Sequence, residues 1–288
     1  MCNLEEENNR NLITAYGLED ELSPAVPDDQ ITLACADREK DMQRLVSYAL
    51  GCIMGRYSLD EPGLIYAHSG NNGFDSSRYT TFPADSDGIL PLTDTDWFGN
   101  EDTANRFGDF LKAAWPTETY HETVQFVADS LSPKAGEAPM DIIRRYLATS
   151  FYKDHLKTYK KRPIYWLFSS GKERAFQALV YLHRYNEGTL ARMRMEYVVP
   201  LQSRLSARIE QLGKDIAVSA STPDRKKRQG ERDKLSRQYL ELLAFDEKLR
   251  HYADQRIRLD HDDGVKVNYG KFGDLLAEVK AITGDKDE

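Results

Sequence analysis

Three cysteines are all that this 288-residue chain contains, and Cys2, Cys35 and Cys52 lie too far apart to form a paired framework. Their scarcity fits a reducing compartment, the cytoplasm, and argues against a metal site built from thiolates. Histidine is scarce too, and none of the six stands at ligand spacing from another. Long apolar runs are missing: no window approaches 18 consecutive apolar residues, which excludes a membrane-spanning helix. The opening stretch MCNLEEENNRNL is acidic and polar, the opposite of a secretory leader.

Catalytic signatures are missing in the same way. There is no phosphate-binding G-x-x-x-x-G-K-[ST], no glycine-rich dinucleotide loop after a strand, and no nucleophile elbow. HDDG at 261–264 puts three acceptors in a row, which cannot all converge on one ion, so it reads as a turn. DTDW at 94–97 reads as a helix cap and a buried tryptophan rather than a hydrolytic carboxylate pair. The expectation is a chain with no catalytic, cofactor-binding or metal-ligating residues of its own.

What is present is a charged, helix-rich globular composition, with 40% hydrophobic and 30% charged residues. The net charge of −8 conceals an asymmetry. Residues 1–150 carry 11 basic and 26 acidic side chains, a net of −15. Residues 151–200 carry 10 and 4, a net of +6, and residues 201–288 carry 18 and 17, a net of +1. An acidic chain with one local concentration of positive charge is compatible with binding a polyanion through that region alone.

The pattern predicts an α+β fold, predominantly helical, with a small β-hairpin and a long antiparallel helical hairpin. Three segments organise it: an acidic mixed lead-in and helical region over 1–139, a basic helix plus β-hairpin over 140–186, and a helical hairpin with a terminal strand and helix over 187–288. Residues 1–35 read as irregular chain with one short strand at 31–33. A helix starts near Asp37, with Met42, Leu45, Val46, Leu50 and Ile53 on one face. The Gly-, Ser- and Asn-rich stretch 66–88 reads as a partly disordered loop. A short strand near Ile89 precedes helices over 103–115, capped by Asp102 or Thr103, and 119–131, with Phe126 turned inward. One amphipathic helix then runs over 139–161 and stops at Pro163.

PIYWLF and FQALVYLH, joined by SSGKERA, form the hairpin. Leu201, Leu205, Ile209, Leu212 and Ile216 face Leu235, Tyr239, Leu242, Leu249 and Tyr252 across a charged tip. A turn at Asp263 and Gly264, a short strand and a last amphipathic helix end the pattern.

The positive charge gathers in KDHLKTYKKRPIYWLFSSGK, residues 153–172. Lys153, Lys157, Lys160, Lys161 and Arg162 stand beside a Ser169-Ser170-Gly171-Lys172 turn. Lysines position a protein on phosphates, and polar turn groups reach base edges in a groove. The plainer account makes the lysines solvated helix-end residues favoured by the helix dipole, and both accounts stand on these residues alone. Tyr165 and Trp166 read as core before base-stackers. The basic tip over 225–234 is a second candidate, though such tips are usually just solvated.

Five blocks then carry a resemblance: EENNRNLITAYGLEDELSPAVPDDQITL, LVSYALGCIMGRYSLDEPGLIYA, ILPLTDTDWF, FYKDHLKTYKKRPIYWLFSSGK and DDGVKVNYGKFGDLL. In family order and over nearly the whole chain, they resemble the C-terminal third of the adenine-specific DNA methyltransferases of BREX phage-defence systems (the PglX family), related to single-chain type IIG restriction–modification enzymes. The resemblance implies a full-length protein with an N-terminal helical region and a Rossmann-like S-adenosylmethionine domain bearing an Asn-Pro-Pro-Tyr motif. It would methylate N6 of an adenine flipped out of the duplex. This chain has no Asn-Pro-Pro-Tyr and no cofactor-binding glycine motif, so no catalytic residue and no S-adenosylmethionine contact carries over, and no Rossmann domain is expected in it. It reads as an excised piece or a split or truncated product.

The implied role is DNA recognition, non-catalytic by itself, with double-stranded DNA and the missing methyltransferase domain as partners. Lys153, Lys157, Lys160, Lys161 and Arg162 would lie along the backbone, with Ser169, Ser170 and Lys172 nearest a groove. The alternative is an interaction module that docks other BREX subunits. DNA recognition needs the 153–172 face exposed; docking needs an exposed apolar patch on the 201–252 helices.

Overall fold

A computed structural model describes residues 2–25, 36–219 and 221–284. The strand expected at 31–33 lies outside them. The chain divides into two compact units, Met1–Asp41 and Met42–Glu288.

In the first unit, α1 (Cys2–Tyr16) is a helix where the sequence reads as irregular lead-in. Glu5 in its first turn complements the helix dipole, and Leu, Glu and Arg supply helix propensity upstream of the prolines at 24 and 27. The Asn9 side-chain amide donates to the Pro24 carbonyl at 3.3 Å, folding the chain back along the helix. At the end of the unit the Asp37 carboxylate accepts from the Lys40 amide at 3.1 Å and caps α2 (Arg38–Ile53), as expected.

The second unit is built on a three-stranded antiparallel sheet in the order β1-β3-β2. β2 (Tyr165–Ser169) and β3 (Gln177–Tyr181) form the expected hairpin, with Leu167 opposite Leu179. β1 (Ile89–Pro91) pairs on the far side of β3, Leu90 against Leu179. Both hairpin strands are buried on both faces, so their sequences are continuous apolar and aromatic runs rather than alternations. Trp166 and Phe168, two residues apart, meet Phe272 edge-on at 5.6 Å each, while Tyr165 stacks on His155 from the opposite face.

Helices surround the sheet. α3 (Thr103–Ala114) is capped by Asp102, which accepts from the Ala104 and Asn105 amides at 3.0 and 3.2 Å and pairs with Arg144 at 2.5 Å. α4 (Tyr120–Asp129) follows, and its Phe126 points outward, contrary to expectation; Val124, Val127 and Ala128 supply the buried face. The long helix expected over 139–161 is two helices, α5 (Pro139–Thr149) and α6 (Phe151–Thr158), broken at Ser150. The Thr149 hydroxyl donates back to the Arg145 carbonyl at 2.7 Å, a contact that bends helices. Trp97, expected to be buried, is only half-buried; Phe98 takes the core position.

The stretch 66–88 has an ordered place in the fold. Buried Arg184 donates to Asn71 Oδ1 at 3.0 Å and to the Asp85 and Ser86 carbonyls at 2.6 and 2.7 Å, and it lies 3.8 Å over the Phe74 ring. Asp60 accepts from both the amide and the hydroxyl of Thr80 and of Thr81.

α7 (Thr189–Arg192) runs through a π-helical segment (Met193–Val198) into α8 (Val199–Val218), where Pro200 cannot supply an amide to a regular helix. α8 packs antiparallel to α9 (Thr222–Asp254) through the predicted Leu201, Leu205, Leu212, Leu235, Leu242 and Leu249. The tip shrinks to residues near Ser219 and Ser221, because 225–234 belong to α9 itself. The tail differs as well. α10 (Gly264–Gly270) replaces the expected strand, with the Asn268 side-chain amide donating to the Gly264 carbonyl at 3.1 Å, and α11 (Val279–Thr283) follows. A short apolar alternation cannot by itself separate strand from helix. Among the described residues no helix is long and apolar enough to cross a membrane.

Candidate nucleic-acid interface

The basic cluster is set by how α6 ends. Buried His155 sits in its last turn, where its Nε2 accepts from the backbone amides of Ile164 and Tyr165, both at 3.2 Å, and so ties the start of β2 to the helix. Burial, with a smaller push from the Arg56 charge, drives its pKa down to about 3, so the imidazole is neutral and Nε2 is free to accept. Tyr159 and Tyr165 pack on the ring at 4.6 and 4.8 Å. Tyr165 and Trp166 are core residues, and the Trp166 indole donates to the Pro163 carbonyl at 3.1 Å.

With α6 held there, the chain reverses through two consecutive left-handed residues, Lys160 (φ 49°) and Lys161 (φ 61°). The Lys161 amide donates to the Leu156 carbonyl at 2.8 Å, closing the helix end. Lys153, Lys157, Lys160, Lys161 and Arg162 are all exposed, and among the described residues none forms an ion pair. Elsewhere the cations are often compensated: Arg228 by Asp215 and Asp224, Lys234 by Asp94, Arg237 by Glu173. Asp154, the one acid within the cluster, instead accepts from the Tyr146 hydroxyl at 2.9 Å.

The turn residues Ser169, Ser170 and Lys172 sit at the other end of β2, roughly 20 Å from the lysines at 3.3 Å per residue. Ser169 ends the strand opposite Gln177. Ser170 is committed to the fold: its hydroxyl donates to Glu241 of α9 at 2.6 Å and accepts from the Phe176 amide at 2.9 Å. Glu241 also accepts from the amides of Glu173 and Ala175 at 2.7 and 3.2 Å, so one carboxylate organises the whole turn. Gly171 (φ 140°) passes so close that a Cβ there would lie 2.8 Å from Glu241 Oε2. What projects from the turn is Lys172, with Arg174 beside it, both exposed.

Two residues escaped the sequence reading. Glu241 lies among ordinary helix charges and has no local signal. Lys266 of α10 comes from a distant stretch of chain, and only the fold carries it to the lysine cluster. Together with Lys160, Lys161 and Arg162 it lines a concavity of about 790 Å³. This donor set suits an anion. S-adenosylmethionine, whose reactive sulfonium is cationic, does not fit it. Among the described residues no group of three or more His, Cys, Asp or Glu could hold a metal ion.

Comparison with known proteins bears on this geometry. No family profile matches the chain. It is 55% identical over 260 residues to the adenine-specific methyltransferase BrxX of Escherichia coli O9:H4 (strain HS), covering 87% of this chain. It is 42% identical over 281 residues to the adenine-specific methyltransferase PglX of Lacticaseibacillus casei (strain Zhang), covering 97% of this chain. The chain is homologous to a segment of these methyltransferases. It spans only 21% and 23% of their lengths. The resemblance read from the sequence therefore holds, over nearly the whole chain and a small part of each relative.

Proposed function

We propose that this chain is a DNA-gripping, target-recognition segment of an adenine-specific methyltransferase and does no chemistry itself. Methyl transfer from S-adenosylmethionine to N6 of adenine, in cytoplasmic defence against phage, falls to the methyltransferase domain of the longer protein, its partner together with duplex DNA. The observation that carries the reading is the run Lys153, Lys157, Lys160, Lys161 and Arg162: five exposed cations without an ion pair among the described residues. The dipole at the end of α6 favours Lys157, but Lys153 stands in the first turn, where the dipole disfavours a cation and Lys157 repels it at i+4, and the left-handed positions 160 and 161 favour glycine or asparagine. Uncompensated cations on one face are the electrostatic footprint of a phosphate contact.

In this reading the helix-end cluster follows the backbone and Lys172 touches it about six base pairs away, given 3.4 Å per pair and the length of β2. Ser169 and Ser170 then shape the turn more than they read bases. Docking to other defence-system subunits would fall on α8 and α9, whose exposed large apolar side chains are Val218, Leu240 and Leu243. That is one pair and a single residue, and we prefer the DNA reading.

The test is fluorescence anisotropy of a labelled duplex against the chain and against K157E/K160E/K161E/R162E. Binding by the parent and its loss in a folded variant support the reading. Equal binding by both would move the DNA elsewhere and remove it.

A further inference from the structure

The concavity beside the lysine cluster has features that a merely solvated cationic face lacks. Its cations come from two separate stretches of chain, Lys160 to Arg162 after α6 and Lys266 on α10, so the charge lines one open concavity rather than spreading along one helix. Between them lies an apolar strip that includes Val267 and Ala281. The one acid among the described residues that line it, Asp263, is paired with Lys271 at 3.1 Å. Lys266, like the other three, forms no ion pair among the described residues.

The two walls are fixed to each other. The hydroxyls of Tyr152 on α6 and Tyr269 on α10 share a buried hydrogen bond at 2.8 Å, and the Ala277 amide donates to the Leu167 carbonyl of β2 at 2.8 Å. The site is thus formed before any ligand arrives, and binding needs little ordering of the chain.

We propose that this concavity seats the sugar–phosphate rail of one DNA strand, with Lys160, Lys161, Arg162 and Lys266 on successive phosphates and the apolar strip under a deoxyribose. The proposal rests on the DNA reading above and deepens it by adding Lys266 and a second wall to the contact. Two features favour a strand over a free anion. At about 790 Å³ the space is many times larger than a tetrahedral ion. Its apolar strip also has no use for an isolated phosphate, whereas sugar carbons give it a partner. The paired left-handed residues turn the chain sharply enough to set two adjacent lysines at the rim.

Acetylation footprinting of the whole chain, with and without duplex and read by mass spectrometry, tests the seat. Duplex should slow modification of Lys160, Lys161 and Lys266 severalfold and leave Lys226 and Lys227 on α9 unchanged. The K266E variant should weaken binding and flatten the salt dependence by about one unit of slope. Lys266 is exposed, and an unchanged melting temperature would show that the fold survives.

If Lys153 and Lys157 are protected but Lys266 reacts at its free rate, DNA runs along α6 alone; the seat is wrong and the DNA reading stands. If inorganic phosphate alone protects all three lysines as well as duplex does, the site takes a free anion and the rail is wrong. If duplex protects nothing, both readings fall together.

Discussion

Lys160 and Lys161 hold backbone conformations that glycine adopts without strain, and in an L-residue each costs roughly 1 kcal/mol. Exchanging lysine for glycine at 161 should therefore stabilise the fold slightly, by up to about 0.5 kcal/mol after allowing for glycine's larger unfolded-state entropy, while weakening DNA binding. Thermal unfolding paired with anisotropy checks both signs, and loss of stability would refute the strain argument. His155 makes a separate prediction. Its folded-state pKa near 3 lies below the ordinary value of 6.5, so the fold favours the neutral ring. The stability it contributes is complete above about pH 6.5 and is lost as the pH falls toward 3. Between pH 7 and pH 5 the loss from this group alone is about 2 kcal/mol. Denaturant unfolding at the two pH values should show it. H155Q, which keeps an acceptor but cannot titrate, should be less stable at pH 7 and flatter with pH.

At the scale of elements, the hairpin turn depends on α9 through a single carboxylate. Glu241 accepts from the Ser170 hydroxyl and from the amides of Glu173 and Ala175. E241Q keeps the shape but weakens these charge-assisted bonds, and it should cost roughly 1–3 kcal/mol. Amide exchange at Glu173 and Ala175 should quicken before exchange in β2 does; a uniform change would mean the turn is not separately held.

Elements with long periodic patterns could be read from the sequence: α2, α3 and the α8–α9 pair lie where spacing put them, and the β2–β3 hairpin lies where β-branched and aromatic composition put it. The misses share a cause. Before Ser150 the back-bond of the Thr149 hydroxyl bends the chain despite a continuous apolar stripe, and at α10 a five-residue alternation was too short to separate two periods. The cluster could be seen as charge, but its partners could not. Glu241 and Lys266 are ordinary surface residues until the fold brings them to the turn and the concavity.

At the scale of the whole molecule, residues 1–150 carry a net charge of −15 and residues 151–200 a net of +6, so along the sequence the positive excess is local, and a phosphate backbone is favoured there over the acidic stretch. The homologous methyltransferases are more than four times as long as the stretch they share with this chain. The division of labour proposed here, grip in this segment and chemistry in the rest, predicts binding without methylation: duplex should bind this chain, and added S-adenosylmethionine should transfer no methyl group. The most direct test is the dependence of duplex affinity on salt. If Lys153, Lys157, Lys160, Lys161, Arg162 and Lys172 meet phosphates, log Kobs against log[salt] should fall with a slope of about −4 to −6. In K157E/K160E/K161E/R162E, which leaves Lys153 and Lys172, the slope should shrink to about −2 or less in magnitude. A slope near zero in the parent chain, or an undiminished slope in the variant, would contradict the account.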